Sequence, residues 1–114
     1  MDDLKWAVIE ANLNPITGAE QKGIRPVLIV SNEEYNVAMP NVTVLPLTTT
    51  QRRLYPSEIL LPKQKAGQPM NSIVMAHQIR TISKQRLGKL FGRLNDVLLR
   101  MEINSAIKEH LDLD

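Results

Sequence analysis

Apolar residues fall in short blocks separated by turn-forming residues, and most blocks have the length of a β-strand. Trp6 to Leu13 is apolar with Glu10 interrupting it, and reads as a first strand. Asn14-Pro15 and Gly18 punctuate a loop that runs to Gly23. Pro26-Val27-Leu28-Ile29-Val30 is a β-branched run, expected as a buried strand. Ser31 or Asn32 before Glu33-Glu34 has the form of a helix N-cap with acids in the first turn, and Pro40-Asn41 keep that helix brief. A third strand is expected over 42–48. Pro46 inside it argues for a strand edge or a bulge.

The later blocks follow the same logic. Ser57 to Leu61 and Ser72 to His77 read as strands, with a flexible loop over 62–70 between them. Ser83-Lys84-Gln85-Arg86 has the form of one helical turn. Leu87, Leu90, Phe91 and Leu94 fit either a bulged strand or a weak helix. From Asn95, expected as an N-cap, the apolar positions Val97/Leu98, Met101, Ile103/Ala106, Ile107 and Leu111 keep helical spacing. Five or six short strands followed by a helix favour a mainly β fold, a small barrel with appended helices.

Composition sets limits on this picture. At 114 residues, 43% of them hydrophobic and 23% charged, the chain is expected to be one globular domain, 1–114. It has no Cys, which excludes disulfides, thiolate metal sites and Cys nucleophiles. Met1-Asp2-Asp3-Leu4-Lys5 begins acidic with no long apolar run after it, so no signal peptide is expected and the protein is placed in the cytoplasm. The apolar runs are too short to span a bilayer as helices. His77 and His110 are the only histidines and no carboxylates cluster beside them in sequence, so neither a metal centre nor a cofactor is expected.

Charge changes the picture more. The net is +2, but residues 1–50 carry three basic and six acidic side chains, a net of −3. Residues 51–100 carry ten basic side chains against Glu58 and Asp96, a net of +8, and residues 101–114 return −3. A basic block of this kind fits either a polyanionic partner or a solvated surface.

Three segments place polar chemistry beside strands. The loop 14–25 carries Glu20 and Gln21 and ends in Arg25, which Pro26 confines to extended backbone. Arg25 can cap the strand and pair with Glu20, or can present its guanidinium to an anion. Thr48-Thr49-Thr50 end the third strand, where hydroxyls serve β-propensity or face a phosphate. His77-Gln78-Ile79-Arg80 gather an imidazole, an amide and a guanidinium at one strand end.

Read in order, Asn12-Leu13-Asn14-Pro15, Gly18 through Val30, Val44-Leu45-Pro46-Leu47-Thr48, Ser72 through Ile82 and Lys84 through Leu94 resemble the MazF/PemK-like toxins of bacterial toxin–antitoxin modules. The likeness runs over nearly the whole chain. It implies a compact SH3-like barrel of the CcdB/MazF type with C-terminal helical decoration, forming a homodimer. It implies a metal-independent, sequence-specific endoribonuclease that cuts single-stranded RNA, chiefly mRNA, leaving a 2′,3′-cyclic phosphate and a 5′-hydroxyl. It also implies a MazE-like antitoxin whose extended C-terminal segment fills the RNA groove. The family's catalytic Arg falls on Arg25 and its catalytic Thr on Thr48. The resemblance implies RNA binding by Glu20, Gln21, Thr49, His77, Gln78 and Arg80: Gln78 and Arg80 fall where relatives line that groove, and Glu20 and Gln21 shape the first loop, with Glu20 orienting Arg25. His77 stands where many relatives carry an acid, and Trp6-Ala7-Val8 replaces the usual opening of the first strand. With Trp6, Tyr35, Tyr55 and Phe91 the only aromatics, base stacking is not expected to dominate binding. Two other readings use the same barrel: a toxin that inhibits a DNA topoisomerase by protein contact, and a module that binds RNA without cutting it.

Overall fold

The computed structural model describes residues 3–15, 18–20 and 23–114. Seven strands and two α-helices follow in the order β1 (Ala7–Asn12), β2 (Ile24–Ile29), α1 (Glu33–Ala38), β3 (Asn41–Thr48), β4 (Glu58–Leu61), β5 (Ser72–Met75), β6 (Arg80–Ser83), β7 (Leu87–Arg93) and α2 (Val97–Leu111). Short 3-10 turns at Ala76–Gln78 and Lys84–Arg86 flank β6. The sheet order is β4-β5-β3-β2-β1-β7, with β6 also paired to β3 and every pairing antiparallel. The mainly β architecture with a C-terminal helix is the expected one.

β3 organises the sheet. Its first half pairs with β6, from Asn41↔Ser83 to Val44↔Arg80, and its end pairs with β5 at Leu47↔Val74 and Thr48↔Ile73. Pro46 is neither at an edge nor in a bulge, as its ring had suggested; it lies within β3, opposite Val27. On the other side of β3 the ladder is interrupted between Val44 and Leu47, where the chain turns from β5 into β6. A residue with no N–H to donate sits in that interruption.

The sheet is buried on both faces, which is why Val27-Leu28-Ile29-Val30 is apolar without alternation. One face joins Val8, Leu28, Leu45, Leu47, Val74 and Leu94 to Ile103 and Ala106 of α2. The other joins Ile9, Ala11, Leu13, Val27, Ile29, Val42, Val44 and Ile82 into a smaller cluster. Trp6 and Val8 pack in the larger one.

α2 corrects two expectations. Its N-cap is Asp96, whose carboxylate accepts the Leu99 N–H at 3.1 Å, and not Asn95. Its packed face is Leu99, Ile103, Ala106 and Ile107, spaced as one helical stripe. Val97, Leu98, Met101 and Leu111, expected on that stripe, are exposed; Leu98 is 71% and Met101 58% accessible. The first turns are apolar on two sides, so periodicity alone admits either face. Arg100 fixes the choice by donating to the Leu94 carbonyl at 2.7 Å and covering the Trp6 ring at 5.2 Å.

Strand pairing does not close the barrel. A loop does part of that work. The 62–70 segment, expected to be flexible, wraps around buried Gln68, whose side chain accepts from Ala66 N–H and donates to the Leu61, Pro62 and Met70 carbonyls. Gly67, at φ +82°, then lies against β7; a Cβ there would fall 2.2 Å from the Phe91 carbonyl oxygen. A Cβ on Gly92 would fall 2.6 Å from that of Ala66. Only bare backbone on both sides permits this approach. Among the described residues no helix is long and apolar enough to cross a membrane.

Candidate active site at the rim of the smaller core

β2 and β3 run antiparallel in the register Val27↔Pro46, Leu28↔Leu45, Ile29↔Val44. Two further steps along that register set Arg25 across from Thr48, where β3 ends. Side chains alternate between faces along a strand. Arg25 therefore shares the face of Val27 and Ile29, Thr48 that of Val42 and Val44, and Arg80 that of Ile82, all members of the smaller cluster. The three polar side chains form its rim.

The Arg25 guanidinium donates from Nη1 to the Leu47 carbonyl at 3.3 Å. Partial burial pushes its pKa below the ordinary arginine value. Thr48 is only 7% exposed, and its Oγ accepts the Thr50 N–H at 3.3 Å. That bond fixes the oxygen and leaves the hydroxyl hydrogen to donate. Arg80 donates to the Leu13 carbonyl at 3.4 Å, and Arg86 to the carbonyls of Asn12, at 3.0 Å, and Asn14. Neither Arg80 nor Arg86 has a carboxylate partner among the described residues. Their charge is held in place by carbonyls and is not neutralised. An anion placed over this rim meets the guanidiniums of Arg80 and Arg25.

The remaining candidates are less close together. Gln78 ends the 3-10 turn that leads into Arg80 and is partly buried. Thr49 is exposed, its carbonyl accepting from Gln51 Nε2 at 3.0 Å. Glu20 is exposed in the β1–β2 loop, and Gln21 lies outside the described residues. His77 is turned toward β4, with Nε2 2.7 Å from Glu58 Oε2.

Glu58 is the feature the sequence reading missed. Its side chain is fully buried and pairs with Arg52 at 2.8 Å. The Arg52 hydrogen bonds hold the carboxyl down at about 2, outweighing the burial that would raise it, with His77 and the Tyr55 N–H adding to the effect. A signal was present: Glu58 and Asp96 are the only acids in the +8 block. Those two acids are the acceptors of the ion pairs found among the described residues.

Comparison with known proteins shows the family. The family model for the PemK-like, MazF-like toxin of type II toxin–antitoxin systems matches residues 5–111. The endoribonuclease MazF of Staphylococcus saprophyticus is 36% identical over 104 residues, covering 90% of this chain and 86% of its own. A mycobacterial endoribonuclease solved in complex with its cognate antitoxin superposes with a TM-score of 0.80 at 29% identity, covering 98% of this chain and 97% of its own. The crystal structure of MazF from Deinococcus radiodurans shares the fold, with a TM-score of 0.85 at 22% identity and 99% coverage of both chains.

Proposed function

The chain belongs to the PemK-like, MazF-like toxin family of type II toxin–antitoxin systems and is an endoribonuclease, and we propose that it cuts single-stranded mRNA at defined sequences, without a metal ion, to stop translation and growth. The observation that carries the reading is the placement of Arg25 opposite Thr48 at one strand end, with Arg80 on the same face.

The proposed reaction uses the RNA's own 2′-hydroxyl. Its oxygen attacks the adjacent phosphorus as its proton passes to an acceptor, the P–O5′ bond breaks, and the departing 5′-oxygen takes up a proton. The products are a 2′,3′-cyclic phosphate and a 5′-hydroxyl end. Negative charge builds on the phosphoryl oxygens during attack, and preorganised donors aimed there lower the barrier. Arg25 supplies the principal donor and charge. Thr48 donates its hydroxyl to a phosphoryl oxygen. A guanidinium ordinarily holds its proton to about pH 12.5 or above. Burial moves Arg25 in the direction that eases proton transfer, a role second to charge stabilisation. Arg80 and Arg86 bind flanking phosphates, and Gln78 offers an amide to a base edge.

The partner is a MazE-like antitoxin whose extended C-terminal segment lies in the same groove. A second copy of the chain docks on the exposed apolar residues of α2, Leu98 and Met101, in a homodimer. The test is incubation of defined single-stranded RNA with the protein in EDTA, with the cut ends sequenced and their termini identified. Cleavage at recurring sequences with cyclic phosphate ends is expected. Cleavage that requires Mg²⁺, or RNA bound and left intact, overturns the proposal.

A further inference from the structure

Arg52, Glu58 and Tyr55 form an arrangement that the catalytic pair does not use. Glu58 starts β4 opposite Met75 of β5. Met75 shares a face with Ile73, which pairs with Thr48. Glu58 and Thr48 therefore project from the same side of the sheet, two strands apart, with their backbones roughly 12 Å from each other by strand spacing and rise.

A fully buried carboxylate is unfavourable unless its lone pairs are filled. Glu58 fills them with Arg52 Nη1 at 2.8 Å, Arg52 Nη2 at 2.9 Å, the Tyr55 N–H at 2.7 Å and His77 Nε2 at 2.7 Å. These partners lie in the strandless segment 49–56 and in the turn 76–78, so one carboxylate ties both to β4. The other end of the segment is held too, by Gln51 Nε2 on the Thr49 and Asn71 carbonyls.

What this clamp presents is an aromatic ring. The Arg52 guanidinium lies 4.4 Å from the Tyr55 ring centroid, while Tyr55 remains 55% exposed. A ring backed by a guanidinium and still more than half exposed offers a stacking surface to an unpaired base. It stands in the block of the chain that carries +8.

We propose that Tyr55 is a stacking platform for an RNA base a few nucleotides from the scissile phosphate, with Arg52 and Glu58 as the positioning residues that hold it. The proposal rests on the ribonuclease reading for its substrate. Tyr55 enters binding and leaves the chemical step alone. Glu58 acts on RNA only through the segment it holds.

The experiment pairs steady-state cleavage with single 2-aminopurine substitutions along the RNA, whose fluorescence is quenched on stacking. Tyr55→Ala is expected to raise KM about 10-fold, the scale of one lost base–aromatic stack, with little change in kcat. Quenching at one nucleotide position disappears with it. Tyr55→Phe, which keeps the ring, retains both. Glu58→Gln reproduces the Tyr55→Ala pattern; should that variant fail to fold, Arg52→Gln removes the same backing from a partly exposed position. An unchanged KM in Tyr55→Ala, a Phe variant as impaired as the Ala variant, or a Glu58→Gln loss confined to kcat overturns the proposal. If the wild-type protein leaves every RNA uncut, the ribonuclease reading falls, and position-specific quenching still decides the platform.

Discussion

Arg25 with Thr48, and Tyr55 with its clamp, stand on one side of the same sheet and are held there in different ways. The first pair is placed by backbone register. Val27, Leu28 and Ile29 lock β2 onto β3, and moving Arg25 away from Thr48 requires a strand to slip, which would exchange the side chains packed in the two clusters. The second group is placed by one carboxylate. Four hydrogen bonds converge on Glu58, and a single substitution there disturbs all four. In the proposed reading, chemistry rests on the rigid scaffold and recognition on an adjustable attachment to it, so a change of target sequence need not disturb the reaction.

The contrast is open to attack at each end, and the largest effect is expected at Arg25. Arg25→Ala is expected to lower kcat/KM about 10³-fold, the upper scale for removal of one transition-state donor, with an unchanged circular dichroism spectrum and melting temperature. A variant that cuts normally would detach the reaction from the strand register. Thr48→Ala is expected to lose about 10²-fold, chiefly in kcat, with Thr48→Ser recovering most of it. Loss in both Thr48 variants alike would make the residue a packing element, in line with its low exposure.

Smaller effects sharpen the binding side. The affinity of uncut RNA for the Thr48→Ala protein should fall with salt. Arg80→Ala and Arg86→Ala should each flatten the log–log slope by about 0.7 if each meets one phosphate. Anisotropy titrations at several salt concentrations measure this. The smallest effect concerns the clamp in acid. Glu58 ionises at about 2 in the folded protein against an ordinary 4.5. Its contribution to stability is therefore complete above 4.5 and disappears as the pH falls through about 2. The Tyr55 amide resonance should hold its position down to about pH 3 and move below it, and should show no such step in Glu58→Gln.

Much of the sheet could be read from the chain because buried runs and turn residues delimit it. The runs at 26–30 and 42–48 became β2 and β3 within two residues, and the 87–94 segment resolved as a strand with register shifts opposite β1. β6 was hard to read because Arg80-Thr81-Ile82-Ser83 offers one apolar side chain, and its partner β3 lies more than thirty positions earlier. Arg25 and Thr48 were legible through the family resemblance alone; a guanidinium before a strand and a threonine after one are individually common. Glu58 was not read as a site because an acid in a short strand gives no local sign that it will be buried. Its four donors come from residues 52, 55 and 77, and only the turn of β4 onto β5 gathers them.

The reciprocal fit of Gly67 and Gly92 has a consequence for selection. A bacterium that survives expression of a toxin does so by carrying a broken one, so survivors reveal every position the protein needs. Both glycines should be prominent among them, although neither has a side chain with which to touch RNA. Each is opposed by main-chain oxygen, from Phe91 and from Ala66. No compensating side-chain change elsewhere removes that oxygen, so second-site revertants should be rare at this pair. They should be commoner around Tyr55, where one side chain can be exchanged for another.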